Sequence, residues 1–146
     1  MPNDILKEKK SSRMNNKELS AQAKEAKNLS YSPYSKFRVG AALLTKDGTI
    51  YLGANIENAS YGLTICAERT AAFAAKLAGE NEFSAIAITS DSKDFIPPCG
   101  ACRQVLLELC GKELDVIITN GNDDQKVFKI KELIPFSFGD EQLNNS

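Results

Sequence analysis

Histidine is absent from this 146-residue sequence. Because histidine is the commonest general base in enzymes and the commonest zinc ligand, its absence removes whole classes of site. Ser-His-Asp and Cys-His hydrolases, metalloproteases with an HExxH helix and iron sites with two histidines and a carboxylate are all excluded. Any catalysis must use Cys, Glu, Asp, Lys or Tyr side chains.

The sequence also lacks a large excess of charge and a long apolar run. Its 18 basic and 19 acidic residues nearly balance, which argues against binding to a nucleic-acid backbone. No segment approaches the roughly 20 apolar residues of a membrane span, and the first residues lack the apolar centre of a signal peptide. We therefore expect a cytoplasmic protein with a small-molecule substrate and no nucleic-acid or membrane partner. The four cysteines would then be thiolates or metal ligands rather than disulfides.

The length and composition fit one domain. With 42% hydrophobic and 25% charged residues, the chain can bury one ordinary core. Residues 1–14 are polar and have no periodicity, so we expect a disordered leader there and a single domain over 15–146.

Hydrophobic periodicity and turn residues predict alternating helices and strands in that domain. The expected order is a helix over 15–29, strands over 37–43 and 50–57, a helix over 64–78, a strand over 85–89, a helix over 99–110, strands over 116–119 and 127–130, and a short helix over 131–134. The Ala-rich helix over 64–78 is expected to be buried rather than to present a face to solvent. Such strand–helix–strand units build an α/β sheet that helices cover on both faces.

Three of the four cysteines lie in two short motifs that each open a predicted helix. TICAER spans residues 64–69 and PCGACRQ spans residues 98–104. The backbone N–H groups and the dipole at a helix N-terminus stabilise thiolates. Cys99 and Cys102, at i and i+3, can direct their sulfurs to one point, as in zinc sites built on C-x-x-C. Cys66 would be the third ligand.

The fourth cysteine decides whether such a metal is structural or catalytic, because a structural zinc has four protein ligands and a catalytic zinc keeps one position open. Cys110 lies eight residues beyond Cys102 on the same predicted helix, a rise of about 12 Å. Two sulfurs on one zinc are only about 3.8 Å apart. We therefore expect an open site with three thiolates and place Cys110 in the core.

Two kinds of charged residue accompany the cysteines. Glu68 lies two residues after Cys66 at a buried helix start, where a carboxylate needs a partner such as a metal-activated water. It could take the proton of that water and pass it to a departing group. Because three thiolates leave zinc with a net charge of −1, Arg69 and Arg103 are expected to hydrogen-bond the sulfurs and offset that charge.

These motifs resemble the zinc-binding signature of the cytidine deaminase family. The resemblance covers about residues 17–140. It also includes the runs YSPYSKF (31–37), VGAAL (39–43), NIENASYG (55–62) and LIP (133–135) followed by Phe138-Gly139. It implies a three-layer α/β/α sandwich with a mixed five-stranded sheet, and one Zn²⁺ per subunit. The reaction it implies is hydrolysis of cytidine or deoxycytidine to uridine or deoxyuridine and ammonia, a step of pyrimidine salvage.

The resemblance also implies roles for individual residues. Phe37 would pack against the pyrimidine, Asn55 and Glu57 would hydrogen-bond the ribose, and the backbone N–H of Ala67 would bind the pyrimidine carbonyl. Glu68 would also contact the ring nitrogen. Tyr61 and Phe138 look like the family residues that complete the pocket of a neighbouring subunit, and the all-cysteine site resembles the homotetrameric branch. Pro97 departs from the Ser or Thr that the family more often has there.

Plainer interpretations remain open from the residues alone. Phe37 could be a core residue of its strand, Asn55 and Glu57 could be solvated, and Phe138 could anchor the core. Arg69 and Arg103 could be ordinary surface charges. Among functions, the alternatives are a blasticidin S-type aminonucleoside deaminase, a nucleic-acid-editing or RNA-binding protein, and a non-catalytic protein with structural zinc.

Overall fold

One mixed sheet organises the chain in the computed structural model, which describes residues 7–9 and 14–144. Its strands lie in the order β1 (Lys7–Lys9), β3 (Thr49–Ala54), β2 (Val39–Thr45), β4 (Phe83–Ser90), β5 (Asp115–Thr119) and β6 (Gln125–Lys129). Strands β4 and β5 pair in parallel, and the other neighbouring strands in this sheet pair antiparallel.

The connections follow from the pairing. Strands β2 and β3 are antiparallel, and the Lys46-Asp47-Gly48 turn joins them as a hairpin. Gly48 has a φ of 92°, which suits a residue without a side chain. Strands β4 and β5 are parallel and need a crossover, which helix α3 (Gly100–Cys110) provides.

Helices cover both faces of the sheet. Helix α1 (Asn16–Ala26) packs Leu19 and Ala23 against one face. Helix α2 (Ala67–Leu77) and helix α3 pack against the other face, where Ala71 and Leu106 lie in the larger of the two apolar clusters. Two short helices, α4 (Ile130–Leu133) and α5 (Asp140–Asn144), follow the last strand. The expected three-layer α/β/α arrangement is confirmed.

The N-terminal segment differs from the expectation. Residues 7–9 form strand β1, which pairs with β3 at the edge of the sheet, so the sheet has six strands instead of five. Three residues of the expected leader are therefore extended and paired here, and the leader as a whole stays a prediction. The other residues assigned to it up to Arg13 lie outside the described part of the chain. The five strands expected from the sequence are all present.

Helix α2 also differs from the expectation in two ways. It begins at Ala67 rather than at Thr64, because the backbone of Ile65 exchanges two hydrogen bonds with Ile56, of 2.9 and 3.0 Å, and is held extended. Its burial is one-sided, since Phe73 and Leu77 are exposed on its outer surface. Among residues 7–9 and 14–144, no helix combines the length and the apolar character that crossing a membrane requires.

Candidate active site

The start of helix α2 is fixed against strand β3 by close backbone packing. A side chain at Gly53 would place its Cβ 2.3 Å from the carbonyl oxygen of Ala67, so only glycine permits this approach. The Thr70 hydroxyl accepts a hydrogen bond from Ala54 N at 3.0 Å and lies 2.9 Å from Ala54 O. Cys66, the N-cap residue of α2, is extended at φ −73° and ψ 156°. Its position is therefore set by the sheet.

The start of helix α3 brings two more sulfurs to the same place. Cys99 is the N-cap of α3, and its Sγ accepts a hydrogen bond from Cys102 N at 3.4 Å. The Sγ atoms of Cys99 and Cys102 are 3.4 Å apart, and those of Cys66 and Cys99 are 3.8 Å apart. All three lie within 4.8 Å of one another.

This sulfur cluster fits a zinc ion. Zn–S bonds of about 2.3 Å in a tetrahedral site place two sulfurs about 3.8 Å apart, close to the distances here. Among the described residues, no other His, Cys, Asp or Glu joins Cys66, Cys99 and Cys102 in the group. Cys110 lies outside it and packs against the core, where burial raises the pKa of its thiol to about 12. A four-coordinate zinc held by these three donors would keep one position open.

The electrostatics of the cluster favour a thiolate at Cys66. The Cys66 pKa is lowered to about 5, first by a hydrogen bond with Cys102 and then by one with the Arg69 guanidinium. The Arg69 Nη2 atom lies 3.4 Å from the Cys66 sulfur. The contact with Cys66, together with burial, raises the pKa of Cys102. Arg69 therefore lies where it offsets thiolate charge, as the sequence indicates.

Glu68 is the buried carboxylate of the site. Only 4% of the residue is exposed. Burial raises the pKa of its carboxyl group, and the negative charge of Cys66 acts in the same direction. The Cys102 thiol is close enough to interact with the carboxylate and partly opposes this shift. A buried carboxyl group with a raised pKa beside an open metal position is suited to accept and return a proton.

Arg103 has partners other than those expected. Its Nε donates to the carbonyl oxygen of Pro98 at 2.8 Å, and its Nη1 donates to that of Leu133 at 2.7 Å. The expectation that Arg103 hydrogen-bonds the sulfurs is wrong, because these two carbonyls take its hydrogen bonds. Arg103 supports the loop that precedes Cys99 and ties it to the end of α4.

Asn55 fastens the loop that bears Phe37. Asn55 is buried and uses both ends of its amide: Nδ2 donates to Phe37 O at 2.8 Å, and Oδ1 accepts from Val39 N at 2.9 Å and from the Ser30 hydroxyl at 2.5 Å. The second N–H of the amide has no acceptor among the described residues. Phe37 itself is half-buried.

Glu57 lies on the same loop system. Its carboxylate accepts hydrogen bonds from Tyr34 N at 2.9 Å, from Ser35 N at 3.1 Å and from the Ser35 hydroxyl. These bonds, the Ser35 hydroxyl first, lower the pKa of Glu57. Glu57 is therefore an oriented and ionised acceptor near neutral pH.

The remaining predicted residues fall into two groups. Ala67 is fully buried as the first residue of α2, where its N–H has no intrahelical acceptor. Tyr61 and Phe138 are 74% and 60% exposed. Neither is part of the core of this chain, so the interpretation of Phe138 as a core anchor does not hold.

The zinc-binding motifs and the fold both match those of known deaminases. Residues 13–118 match the family described as the cytidine and deoxycytidylate deaminase zinc-binding region. This chain belongs to that family. Cytidine deaminase of Halalkalibacterium halodurans is 49% identical over 132 residues, which is 90% of this chain and 100% of the relative. The probable cytidine deaminase of Dictyostelium discoideum is 46% identical over 83% of this chain and 82% of the relative.

Solved structures of deaminases share the architecture. The crystal structure of cytidine deaminase from Burkholderia pseudomallei superposes with a TM-score of 0.84 at 49% identity, covering 86% of this chain and 100% of that one. Cytidine deaminase from Mycobacterium tuberculosis gives a TM-score of 0.76 at 38% identity, covering 87% and 99%. This deaminase-family chain thus has the α/β/α fold of its relatives, and its cofactor is zinc.

Sequence reasoning missed several residues around the deaminase site. Ser35 orients Glu57, and Gln104 donates from Nε2 to Phe138 O at 2.9 Å. Ser35 lies in the YSPYSKF motif and Gln104 lies in the PCGACRQ motif. Their position inside these motifs is the sequence signal that could have identified them as site residues. Asp91 binds Arg38 beside Phe37 from 53 positions away, with Nη2 to Oδ1 at 3.0 Å, and no local pattern indicates such a pair.

Proposed function

We propose that this chain hydrolyses cytidine and deoxycytidine to uridine and deoxyuridine, with release of ammonia. The observation that carries the proposal is the convergence of three sulfurs, from the starts of two helices, beside the buried Glu68. The relatives named as cytidine deaminases, at 46 to 49% identity, support the same substrate class. The blasticidin S-type alternative has no comparable support.

Glu68 moves the protons in this reaction. Bound zinc supplies the Lewis acidity that makes water nucleophilic at neutral pH. The Glu68 carboxylate accepts the proton of the attacking water and delivers it to N3 of the pyrimidine. Glu68 then takes a second proton, from the hydroxyl that the attack leaves on C4, and delivers it to the exocyclic amine; the C4–N bond breaks, ammonia leaves and the C4 carbonyl forms. Burial assists both steps, because the raised pKa of Glu68 lies closer to the working pH.

Three elements orient the nucleoside. The Ala67 N–H, at the positive end of α2, donates to the pyrimidine carbonyl. The ring of Phe37, which Asn55 holds by its backbone, packs against the pyrimidine. The ribose hydroxyl donates to Glu57 and accepts from the remaining N–H of Asn55. Because Glu57 is fixed by Ser35 and Tyr34, little conformational entropy is lost on binding.

The enzyme acts as a homotetramer in the cytoplasm, in pyrimidine salvage. Exposed apolar side chains support the assembly: Leu77 is 91% exposed, and Ile56, Leu63 and Phe73 are exposed near it. They border an apolar cavity of about 560 Å³ beside α2, which contains none of the cysteines. A second copy of the chain would bury this surface. Tyr61 and Phe138 then complete the pocket of a neighbouring subunit.

A substrate panel tests the proposal. Purified protein with one zinc per chain is incubated with cytidine, deoxycytidine, cytosine and blasticidin S, and the ultraviolet spectrum and released ammonia are followed. We expect turnover of both nucleosides at kcat values of about 1–1000 s⁻¹, the ordinary enzyme range. Unchanged cytidine after hours would refute the proposal, and turnover of blasticidin S alone would establish the alternative.

A further inference from the structure

The segment from Leu133 to Phe138 is held at both ends by consecutive residues of helix α3. Arg103 Nη1 donates to the carbonyl of Leu133 at 2.7 Å, and Gln104 Nε2 donates to the carbonyl of Phe138 at 2.9 Å. The two donors are the first and second residues after Cys102. The same turn of helix that presents a metal ligand therefore also fixes this segment, although about 30 residues separate them in sequence.

The backbone between these two anchors has little freedom. Pro135 has a ring-restricted φ, and Phe136 has a φ of 49°, in the left-handed region that non-glycine residues seldom occupy. A residue stays in that region only when its surroundings enforce it. The side chains of Phe136 and Phe138 both extend from the segment into solvent. Phe138 is thus displayed on a constrained backbone.

Arg103 links the segment to the cysteine loop as well. Its Nε binds the carbonyl of Pro98, the residue before Cys99. One guanidinium thus joins the metal-binding loop to the start of the segment, and Gln104 fastens the end. We propose that Arg103 and Gln104 form a latch that positions Phe138 relative to the metal site, with Gln104 as the positioning residue that sets its reach into a neighbouring pocket.

This inference rests on the proposed function, because Phe138 matters for substrate only if it completes a pocket. Gln104 touches neither the sulfurs nor the substrate in this account. It acts through the position of Phe138. Loss of its hydrogen bond should therefore weaken substrate binding without removing zinc or slowing proton transfer.

The test is the isosteric substitution Gln104→Glu, which replaces the N–H donor with an oxygen facing the Phe138 carbonyl. We expect KM for cytidine to rise about 3- to 10-fold, the range of one lost hydrogen bond, with kcat within about twofold and zinc content unchanged. The matched control is Gln125→Glu on the opposite face of the sheet. Gln125 Nε2 binds the Ser20 hydroxyl there at 2.8 Å. The KM of the Gln125→Glu variant for cytidine should stay within about twofold of the wild-type value.

A double-mutant cycle separates this role from general stability. In a Phe138→Ala background, Gln104→Glu should raise KM less than about twofold, because the aromatic ring that Gln104 positions is already absent. An unchanged KM in the single variant, or a full-sized effect in the double variant, would overturn the latch.

Hydrogen–deuterium exchange gives a readout that does not depend on turnover. Backbone amides of residues 136–139 should exchange faster in Gln104→Glu than in the wild type or in Gln125→Glu. If the wild type does not deaminate cytidine, the proposed function fails while the exchange result still decides whether the latch exists. Equal exchange in all three proteins would refute the latch.

Discussion

The two faces of the sheet differ in the side chains that they bury. On the face that α1 covers, Leu19 and Ala23 lie in an apolar cluster. The buried Thr119 hydroxyl donates a hydrogen bond to the buried Ser20 hydroxyl at 3.1 Å on the same face. Against α2 and α3, the face holds three sulfurs and a buried carboxylate of raised pKa. Burying a carboxylate costs free energy. The α1 face thus buries apolar side chains and paired hydroxyls, whereas the opposite face also buries a carboxylate beside three sulfurs.

Among the variants that compare the two faces, Cys99→Ser, at the start of α3, is expected to have the largest effect on zinc content and turnover. Serine still caps helix α3 but provides a hydroxyl in place of a thiolate, so zinc and all measurable turnover should be lost. Even changes outside the ligand set of a metal site cost about 10- to 100-fold in affinity or activity. Zinc per chain and cytidine turnover are measured together.

The control for this change lies on the same helix. Cys110→Ser alters the same chemical group outside the sulfur cluster and should retain one zinc per chain. Zinc loss in Cys110→Ser would instead indicate a fourth ligand and a structural metal.

Glu68→Gln comes next in size. The amide keeps the shape of the side chain but cannot accept the proton of water, so kcat should fall about 10²- to 10⁴-fold. Zinc content should be unchanged, and stability should not decrease, because a buried charge is removed. Activity within about tenfold of the wild type would remove Glu68 from the mechanism.

A pair of glycine substitutions compares the faces directly. Gly53→Ala would place its Cβ 2.3 Å from Ala67 O on α2, and Gly40→Ala would place its Cβ 2.1 Å from Ala23 O on α1. Each should lower the free energy of unfolding by about 1–3 kcal/mol, through overpacking, as measured by urea denaturation. Only Gly53→Ala should also weaken zinc retention, because it displaces the start of α2. Equal zinc loss in both would contradict the division between the faces.

The smallest effect concerns Asp91, which ties the end of α1 to the sheet. Its carboxylate binds Arg38 at 3.0 Å and Lys27 at 3.1 Å, and these contacts, Arg38 first, hold the pKa of Asp91 well below its usual range. A depressed folded-state pKa stabilises the protein above about pH 4, the unfolded value, and this contribution is lost as pH falls further. Asp91→Asn should cost about 1 kcal/mol at pH 7.

The pH series gives the check on that prediction. Urea denaturation of the wild type and of Asp91→Asn should converge as pH drops below about 4. A difference that stays constant down to pH 2 would show that the carboxylate charge is not responsible.

Site residues that lie in local motifs can be predicted from the sequence, whereas contacts between distant segments cannot. Each cysteine motif is local, and the helix rise alone removes Cys110 from the site, as the structure confirms. The partners of Arg103 depend on where Leu133 lies, 30 residues later, and no local rule gives that position. Likewise, the pairing of Ile65 with Ile56 shortens α2, because a tertiary hydrogen-bond pair overrides helix propensity.

Zinc titration of the metal-free protein tests the central claim most directly. Ammonia release from cytidine is measured as zinc is added, with Cys99→Ser as the reference. The account predicts that activity rises in proportion to zinc and saturates at one equivalent per chain, and that Cys99→Ser stays inactive throughout. Activity that is independent of zinc, or zinc binding at one equivalent without any cytidine turnover, would contradict it.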